Sequence, residues 1–262
     1  MQTQQLKDLY GVAGKVVVVT GGSRGIGRAI AQGFVQGGAR TYICARDEQA
    51  CLQAAQEMAV GGECVAIAAD LSTIEGCRDL AARLAAKETH VDVLVNNAGT
   101  IWTQPLAEYA ESGWSKVFDV NVKGTFFLIQ SLLKMLKSAA SPQDPARVIN
   151  IGSIGGFRVP DHETYAYSAS KAAVHQLSKH LARQLAPDGV TVNVIAPGRY
   201  RSEMLEKAIA LQGAESLLAP IPLGRFVEDD DLVGAALFLA SKAGSAVTGA
   251  ILPVDCGHGT VG

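Results

Sequence analysis

Residues 15–27 read Lys-Val-Val-Val-Val-Thr-Gly-Gly-Ser-Arg-Gly-Ile-Gly, and the fold class follows from this stretch. Residues 15–20 form a β-branched run without alternation of apolar and polar positions, which is typical of a strand buried on both faces of a parallel sheet. A helical pattern follows the glycines to about Gly37. In this context of strand, glycine turn and helix, backbone N–H groups can approach a pyrophosphate at the helix N-terminus. The stretch therefore predicts a dinucleotide-binding turn.

The rest of the chain alternates between runs typical of strands and runs typical of helices. Strands are predicted at 40–45, 63–69, 91–95, 147–151, 190–196 and 248–255, and helices at 48–59, 73–87, 113–137, 164–186 and 229–241. Strands that alternate with helices lie parallel and are joined by right-handed crossovers. We therefore expect a Rossmann-type doubly wound parallel α/β sheet of about seven strands, with helices on both faces.

Two segments lie outside this alternation. Residues 1–14 are expected to form a loose arm. Residues 199–226 contain apolar side chains such as Met204 and Leu205, interrupted by Gly213 and two prolines, and predict one or two short helices that cover the cleft as a substrate lid. No linker or repeat divides the chain, so residues 1–262 are interpreted as a single domain.

The composition excludes several classes of protein. Lys and Arg number 23 and Asp and Glu number 25, a net charge of −2 that argues against a nucleic-acid or polybasic membrane partner. No apolar run approaches the roughly 20 residues of a membrane span, and residues 1–8 lack the pattern of a signal peptide. The 5 cysteines are scattered and form no C-x-x-C pair, which favours free thiols in the cytoplasm. The 5 histidines lack metal-ligand spacing, and those at 175 and 180 are interpreted as surface or satisfied helix residues, so no metal is expected.

The end of the second predicted strand indicates which dinucleotide would bind. An acidic residue there would bond the 2′-hydroxyl of the adenosine ribose, whereas an arginine accommodates a 2′-phosphate. This sequence has Arg46 at that point, with Asp47 one step further, and Arg24 in the glycine turn adds a second cation. Either arginine could be a plain surface charge, but two that converge on one point favour NADP(H) over NAD(H).

The segment Tyr167-Ser-Ala-Ser-Lys171 carries the chemistry. Four residues of helix make just over one turn, so the tyrosine and the lysine share a face. A neighbouring ammonium stabilises a phenolate, which suits proton transfer to or from a carbonyl or an alcohol. Tyr165 lies nearby but is followed at i+4 by Ala169, so Tyr167 is the better candidate.

Further polar or small residues follow predicted strands or interrupt a predicted helix. Residues 96–99 read Asn-Asn-Ala-Gly at a strand end, Ser153 follows the fifth strand and Pro197-Gly198 the sixth. The carboxyl ends of parallel strands are where ligands bind in open α/β sheets. Asn121 lies in mid-helix, where Asn is unfavourable, so another requirement is expected to place it there.

These features resemble the short-chain dehydrogenase/reductase family over essentially the whole of residues 15–257. The matching positions are Thr20-Gly-x-x-x-Gly-x-Gly27, Asp70, Asn96-Asn-Ala-Gly99, Asn121, Ser153, Tyr167-x-x-x-Lys171 and Pro197-Gly198. The resemblance implies a catalytic tetrad of Asn121, Ser153, Tyr167 and Lys171. Tyr167 would exchange the proton with the substrate oxygen, Ser153 would hydrogen-bond that oxygen, Lys171 would lower the tyrosine pKa and hold the nicotinamide ribose, and Asn121 would hold a water that relays protons.

The resemblance also implies a set of contacts with NADP(H). The glycine turn would hold the phosphates, the ends of the second and third strands the adenosine, and the later strand ends the nicotinamide side. The residues concerned are Gly21, Ser23, Arg24, Gly25, Ile26, Gly27, Arg46, Asp70, Leu71, Asn97, Ala98, Gly99, Val120, Tyr167, Lys171, Pro197, Gly198 and Ser202.

Within the family, the segments around Tyr167 and Pro197 look most like NADPH-dependent β-ketoacyl reductases. An NADP-dependent alcohol, polyol or steroid-type dehydrogenase is the alternative, and a non-catalytic NADP-binding sensor a remote one. The resemblance implies a small carbonyl or alcohol substrate and a homotetramer. Two departures stand out: the spacing from Ser153 to Tyr167 is one residue longer than in the commonest members, and Cys256 stands where Gly is frequent, with no evident chemical consequence.

Overall fold

The structure is a computed structural model that describes residues 3–160 and 162–261. The side chain of Met204, expected among the apolar residues of the lid, lies outside the described part. Within that part a seven-stranded parallel sheet forms the centre, in the order β3-β2-β1-β4-β5-β6-β7. The strands are β1 Val16–Thr20, β2 Arg40–Ala45, β3 Cys64–Ala68, β4 Val93–Asn96, β5 Ala146–Ile151, β6 Val190–Pro197 and β7 Ile251–Val254. The predicted doubly wound Rossmann-type sheet is confirmed.

Ten α-helices accompany this sheet in the described residues. They are α1 Thr3–Tyr10, α2 Gly25–Gln36, α3 Glu48–Met58, α4 Ile74–Ala85, α5 Glu111–Phe118, α6 Thr125–Ala139, α7 Tyr165–Leu185, α8 Glu203–Gln212, α9 Ala214–Leu218 and α10 Asp229–Ala240. None of the helices described is long and apolar enough to cross a bilayer.

Strand β1 lies where the strand order reverses. Val17 pairs with Thr41 of β2 on one side and with Val93 of β4 on the other. All five residues of β1 are buried, because helices cover both faces of the sheet. Val17 and Val19 pack with Phe34 of α2 and Leu232 of α10 on one face. The alternate valines of β1 pack with residues of α4 and α6 on the other face. Because the strand order reverses at β1, we expect the ligand crevice at the carboxyl end of this strand.

One expectation of local structure was wrong. The predicted loose arm is helix α1 over the described residues 3–10, where Gln4 Nε2 donates to Asp8 Oδ1 at 2.7 Å across one turn. The helix predicted over 113–137 is present, and within it residues Asp119–Gly124 form a π-helical segment between α5 and α6. The one or two short helices expected within 199–226 are α8 and α9, which Gly213 separates with a φ of 80°.

Candidate active site

The glycine turn after β1 has the shape that a phosphate requires. Gly21 and Gly25 adopt positive φ angles of 64° and 55°, which glycine tolerates best. A Cβ at Gly27 would lie 2.3 Å from Asn97 Nδ2 and 2.4 Å from the Gly21 carbonyl oxygen, so only glycine fits there. Helix α2 begins at Gly25, and its N-cap Arg24 makes no side-chain cap, which leaves the first N–H groups of the helix to a ligand.

The loop after β4 is bonded to this turn. Asn97 Nδ2 donates to the carbonyl oxygens of Thr20 at 3.0 Å and Gly21 at 3.1 Å. The Thr20 hydroxyl oxygen accepts the N–H groups of Asn97 at 3.0 Å and Ala98 at 2.9 Å. Leu71, Ala98 and Val120 line a small pocket beside Thr20. The ends of β1 and β4 therefore form one rigid wall of the crevice.

Two exposed arginines, and a carboxylate that caps a helix, lie where the adenosine ribose is expected. Neither Arg24 nor Arg46 forms an ion pair with a carboxylate within the described residues. Asp47 caps α3, because its Oδ1 accepts the Ala50 N–H at 3.0 Å. The pKa of the Asp70 carboxyl is lowered, chiefly by the Ser72 backbone N–H and in part by Arg46. An arginine at the end of β2, a second arginine in the glycine turn and a carboxylate that caps a helix suit a 2′-phosphate better than a 2′-hydroxyl.

Tyr167 and Lys171 lie on one face of α7, as the spacing predicted. Lys171 Nζ lies 5.6 Å from the centroid of the Tyr167 ring and donates to the Ile151 carbonyl oxygen at 2.7 Å. Burial lowers the pKa of Lys171 to about 8. Burial also raises the pKa of Tyr167, and a hydrogen bond with the Ser153 side chain opposes that shift. The pKa of the tyrosine thus moves opposite to the direction expected from Lys171, because desolvation by burial is the largest cause of its shift.

Ser153 follows β5 and faces Tyr167. Its backbone is extended, with φ −170° and ψ 152°, and its Oγ accepts the Gly155 N–H at 3.0 Å. That bond caps a short 3₁₀ turn over Ile154–Gly156 and fixes the hydroxyl at the carboxyl edge of the sheet. The turn therefore brings Ser153 and Tyr167 together although 13 positions separate them in the chain.

The π-helical segment explains why an asparagine occupies position 121. Asn121 Nδ2 donates to the Thr100 carbonyl oxygen at 3.0 Å and to Ser170 Oγ at 2.9 Å, and its Oδ1 accepts the Thr100 N–H at 2.8 Å. Ser170 Oγ in turn donates to the Tyr167 carbonyl oxygen at 2.7 Å. Asn121 therefore ties the loop after β4 to α7 at the tyrosine. Sequence reasoning missed Ser170, whose only signal was its place beside Lys171.

The remaining predicted residues border this centre or support it. A Cβ at Gly99 would lie 3.3 Å from Asn121 Oδ1 and 3.8 Å from Lys171 Nζ, so a side chain at this position would crowd both residues. Pro197 is buried, and a Cβ at Gly198 would lie 2.7 Å from the Cα of Asp255. Ser202 accepts the Leu205 N–H and caps α8. Ser23 is half-buried in the glycine turn, and Ile26 packs against the apolar core under α2.

Two further residues bear on the sequence interpretation. Tyr165, the less favoured tyrosine, is 37% exposed and its hydroxyl donates to Glu163 at 3.0 Å. Cys256 has a φ of 55°, the left-handed conformation that favours glycine. The cysteine at this position therefore has a conformational consequence, although no chemical one.

The fold and the motifs define an oxidoreductase class that comparison with known proteins confirms. A family model described as short chain dehydrogenase matches residues 15–212. The chain belongs to the short-chain dehydrogenase/reductase family, as the residues predicted. Among its relatives is a 3-oxoacyl-acyl-carrier-protein reductase of rhamnolipid biosynthesis from Pseudomonas aeruginosa, 47% identical over 249 residues, which are 95% of this chain and 97% of the relative.

Other relatives carry sugar-acid names. A 2-dehydro-3-deoxy-D-gluconate 5-dehydrogenase from Bacillus subtilis is 37% identical over 261 residues, with 96% of this chain and 97% of the relative covered. Among solved structures, the NADP active-site complex of RhlG from Pseudomonas aeruginosa superposes with a TM-score of 0.93 at 46% identity, covering 96% of this chain and 99% of that one. A gluconate 5-dehydrogenase from Burkholderia cenocepacia in complex with NADP and tartrate gives 0.90 at 29% identity, covering 98% and 100%.

Proposed function

We propose that the chain is an NADP(H)-dependent oxidoreductase that interconverts a ketone and a secondary alcohol, with a β-ketoacyl compound as the substrate that it reduces. The observation that carries this proposal is the convergence of Ser153, Tyr167 and Lys171 at the carboxyl edge of the sheet, beside Gly99. The 47% identity to a 3-oxoacyl reductase supports the substrate class.

The cofactor would lie along the switch point between β1 and β4. Residues 21–27 would hold the pyrophosphate, Arg24 and Arg46 the 2′-phosphate, and Lys171 the nicotinamide ribose. When bound, the nicotinamide supplies or accepts the hydride. The Asn97 bonds to Thr20 and Gly21 keep both loops in place for this ligand.

The protein's own contribution is a proton and its placement. Tyr167 donates its phenolic proton to the ketone oxygen during reduction and takes it back during oxidation. Ser153 donates a hydrogen bond to the same oxygen and stabilises the charge that develops on it. Lys171 keeps a positive charge next to this pair below a pH of about 8, where its pKa lies. Asn121 orders the Thr100 loop against α7, and its proposed role is to hold a water that relays protons to Lys171.

A second candidate is an NADP-dependent alcohol, polyol or steroid-type dehydrogenase on the same scaffold. A specific observation favours the polyol form, because a galactitol 2-dehydrogenase from Cereibacter sphaeroides is 36% identical over 256 residues. A non-catalytic NADP-binding sensor is the remote alternative. The segment over 199–226, with α8 and α9, is proposed as a lid over the cleft that determines which of these substrates the enzyme accepts.

Steady-state oxidation of NADPH against a panel of carbonyl compounds tests the proposal. The panel contains β-ketoacyl thioesters of increasing chain length, keto-sugar acids, polyol-derived ketones and steroid ketones. Turnover should be fastest with the thioesters, and faster turnover of a sugar or polyol ketone would favour the second candidate. Cofactor binding without turnover of any substrate would favour the sensor.

Tyr167→Phe tests the proton donor, with Tyr165→Phe as the matched control two residues away. Loss of a general acid should lower kcat by about 10²- to 10⁴-fold and leave NADPH affinity within about twofold. Tyr165→Phe should retain wild-type turnover because its hydroxyl bonds Glu163. Equal kcat in both variants would remove Tyr167 from the mechanism.

We further propose that the protein is a cytoplasmic homotetramer. Each chain is proposed to form a single domain over residues 1–262. Free thiols at all five cysteines of the described chain support a reducing compartment. Sedimentation equilibrium tests the assembly and would contradict it by giving the monomer mass of 27.4 kDa. Fractionation of the cells that produce the protein tests the compartment.

A further inference from the structure

A buried histidine lies beneath the loop that carries Ser153. His175 follows Lys171 by one turn of α7 and is only 5% exposed. Its Nε2 accepts the Ser153 N–H at 3.5 Å. This distance is long for such a bond, and hydrogen bonds at catalytic sites shorten when ligands complete the site. His175 thus contacts the backbone of one proposed catalytic residue from the helix that carries two others.

The loop is shaped around the imidazole ring. A Cβ at Gly152 would lie 2.4 Å from His175 Nε2, and a Cβ at Gly156 would lie 2.6 Å from His175 Cε1. The Phe157 ring lies 5.8 Å from the imidazole, centroid to centroid, and is tilted by 35°. The residues on both sides of Ser153 are therefore packed on the ring, and any shift of the ring moves the segment between them.

The ring is neutral at physiological pH, which is the state that can accept this bond. Burial, followed by the cations Lys171 and Lys179, lowers the pKa of His175 to about 4. An acceptor Nε2 places the ring proton on Nδ1. A neutral ring also adds no positive charge beside Lys171, so the ring can support the loop without disturbing the proton chemistry of the lysine.

We propose that His175 is a positioning residue that sets the location of the Ser153 hydroxyl by holding the Ser153 backbone N–H and the loop on either side of it. The inference rests on the proposed function, since Ser153 matters only if it bonds the substrate oxygen. Backbone position decides where the hydroxyl lies, because the Gly155 N–H already fixes the Ser153 rotamer. In this proposal His175 acts through Ser153 and not by contact with substrate or cofactor.

Two substitutions of His175 distinguish the effect of its hydrogen-bond acceptor from the effect of its side-chain volume. His175→Leu keeps much of the volume and removes the acceptor, whereas His175→Gln keeps a neutral acceptor. An unsatisfied buried N–H and a loosened loop should lower kcat about tenfold in the leucine variant, with the KM for NADPH within about twofold of wild type. The glutamine variant should recover most of that loss. Equal kcat in the leucine variant and wild type would overturn the inference, as would a glutamine variant no better than leucine.

A double-substitution cycle with Ser153→Ala shows whether His175 acts through Ser153. In the Ser153→Ala background, His175→Leu should cause no further loss of kcat, because the hydroxyl that it positions is gone. Full additivity of the two losses would assign His175 a separate structural effect and overturn the inference.

The same cycle distinguishes failure of the inference from failure of the proposed function. Wild-type turnover in Ser153→Ala would refute the role of Ser153 itself, whatever His175→Leu does. If the leucine variant does not fold, His175→Met carries the same expectation, since methionine is unbranched and adapts to irregular cavities.

Discussion

Replacing Arg24 and Arg46 with alanine should abolish the preference of this enzyme for NADPH over NADH. Both guanidinium groups are exposed and form no ion pair with a carboxylate in the described chain, so each can bond a phosphate. A charge-assisted bond at an exposed site should be worth about 1.4 kcal/mol, or about tenfold in Kd, for each arginine. The double variant should therefore bind NADPH about 100-fold more weakly and NADH almost unchanged.

Fluorescence titration of both cofactors measures these affinities directly. Arg28→Ala is the matched control, because Arg28 lies in α2, one turn after the N-cap Arg24, but is paired with Glu57 at 2.6 Å. It should change neither Kd. The NADPH affinity of the wild type should also fall with added salt more steeply than that of the double variant. An unchanged ratio of NADPH to NADH affinity in the double variant would refute the assignment of the 2′-phosphate to these arginines.

Three further predictions concern conformation and ionisation. Gly27→Ala places a methyl group against Asn97 and should lower both Tm and NADPH affinity, whereas Gly234→Ala, where a Cβ has no neighbour, should leave both unchanged. Equal melting temperatures for the two variants would contradict this prediction. Lys171 has a pKa of about 8 in the folded protein against its usual 10.5, so the unfolded chain binds more protons between these pH values and the free energy of unfolding rises with pH there. Urea unfolding of Lys171→Met should lack that rise, and the same pH slope in the variant and the wild type would contradict the prediction. Cys256→Gly should be more stable than Cys256→Ala by about 1 kcal/mol in the same assay because only the alanine retains left-handed strain, and the reverse order would disprove that strain.

Strand positions were predictable because burial on both faces leaves a simple pattern. The run of valines over β1 is typical of the interior of a covered sheet, so its place in the fold followed from the sequence. The helix at 3–10 was not predictable in this way. Gln4 and Asp8 form an i,i+4 side-chain bond, but Leu6 and Tyr10 are exposed, so the pattern of this helix is close to that of an unstructured arm.

Site residues were predictable where a strand end or a helix spacing placed them. Asp47 shows what such reasoning lacks. Its position next to Arg46 left its partner open, and only the fold shows that it caps α3 through the Ala50 N–H. Asn121 was noticed as an unfavourable helix residue, yet its three hydrogen bonds reach Thr100 and Ser170, which are distant in sequence. Long-range partners decide these roles, and local patterns do not contain them.

The ionisation of the tetrad depends on a geometric fact that spacing does not supply. Residues four apart on a helix share a face, but the Lys171 ammonium bonds the Ile151 carbonyl oxygen and lies 5.6 Å from the Tyr167 ring centroid. An ammonium has three N–H donors, and the Ile151 carbonyl takes one of them. A Cβ at Gly99 would lie 3.8 Å from Nζ, so Gly99 adjoins the ammonium. Lys171 can therefore stay anchored to β5 with two N–H donors left for other acceptors, and the Ile151 carbonyl retains the cation at the site although burial favours its neutral form.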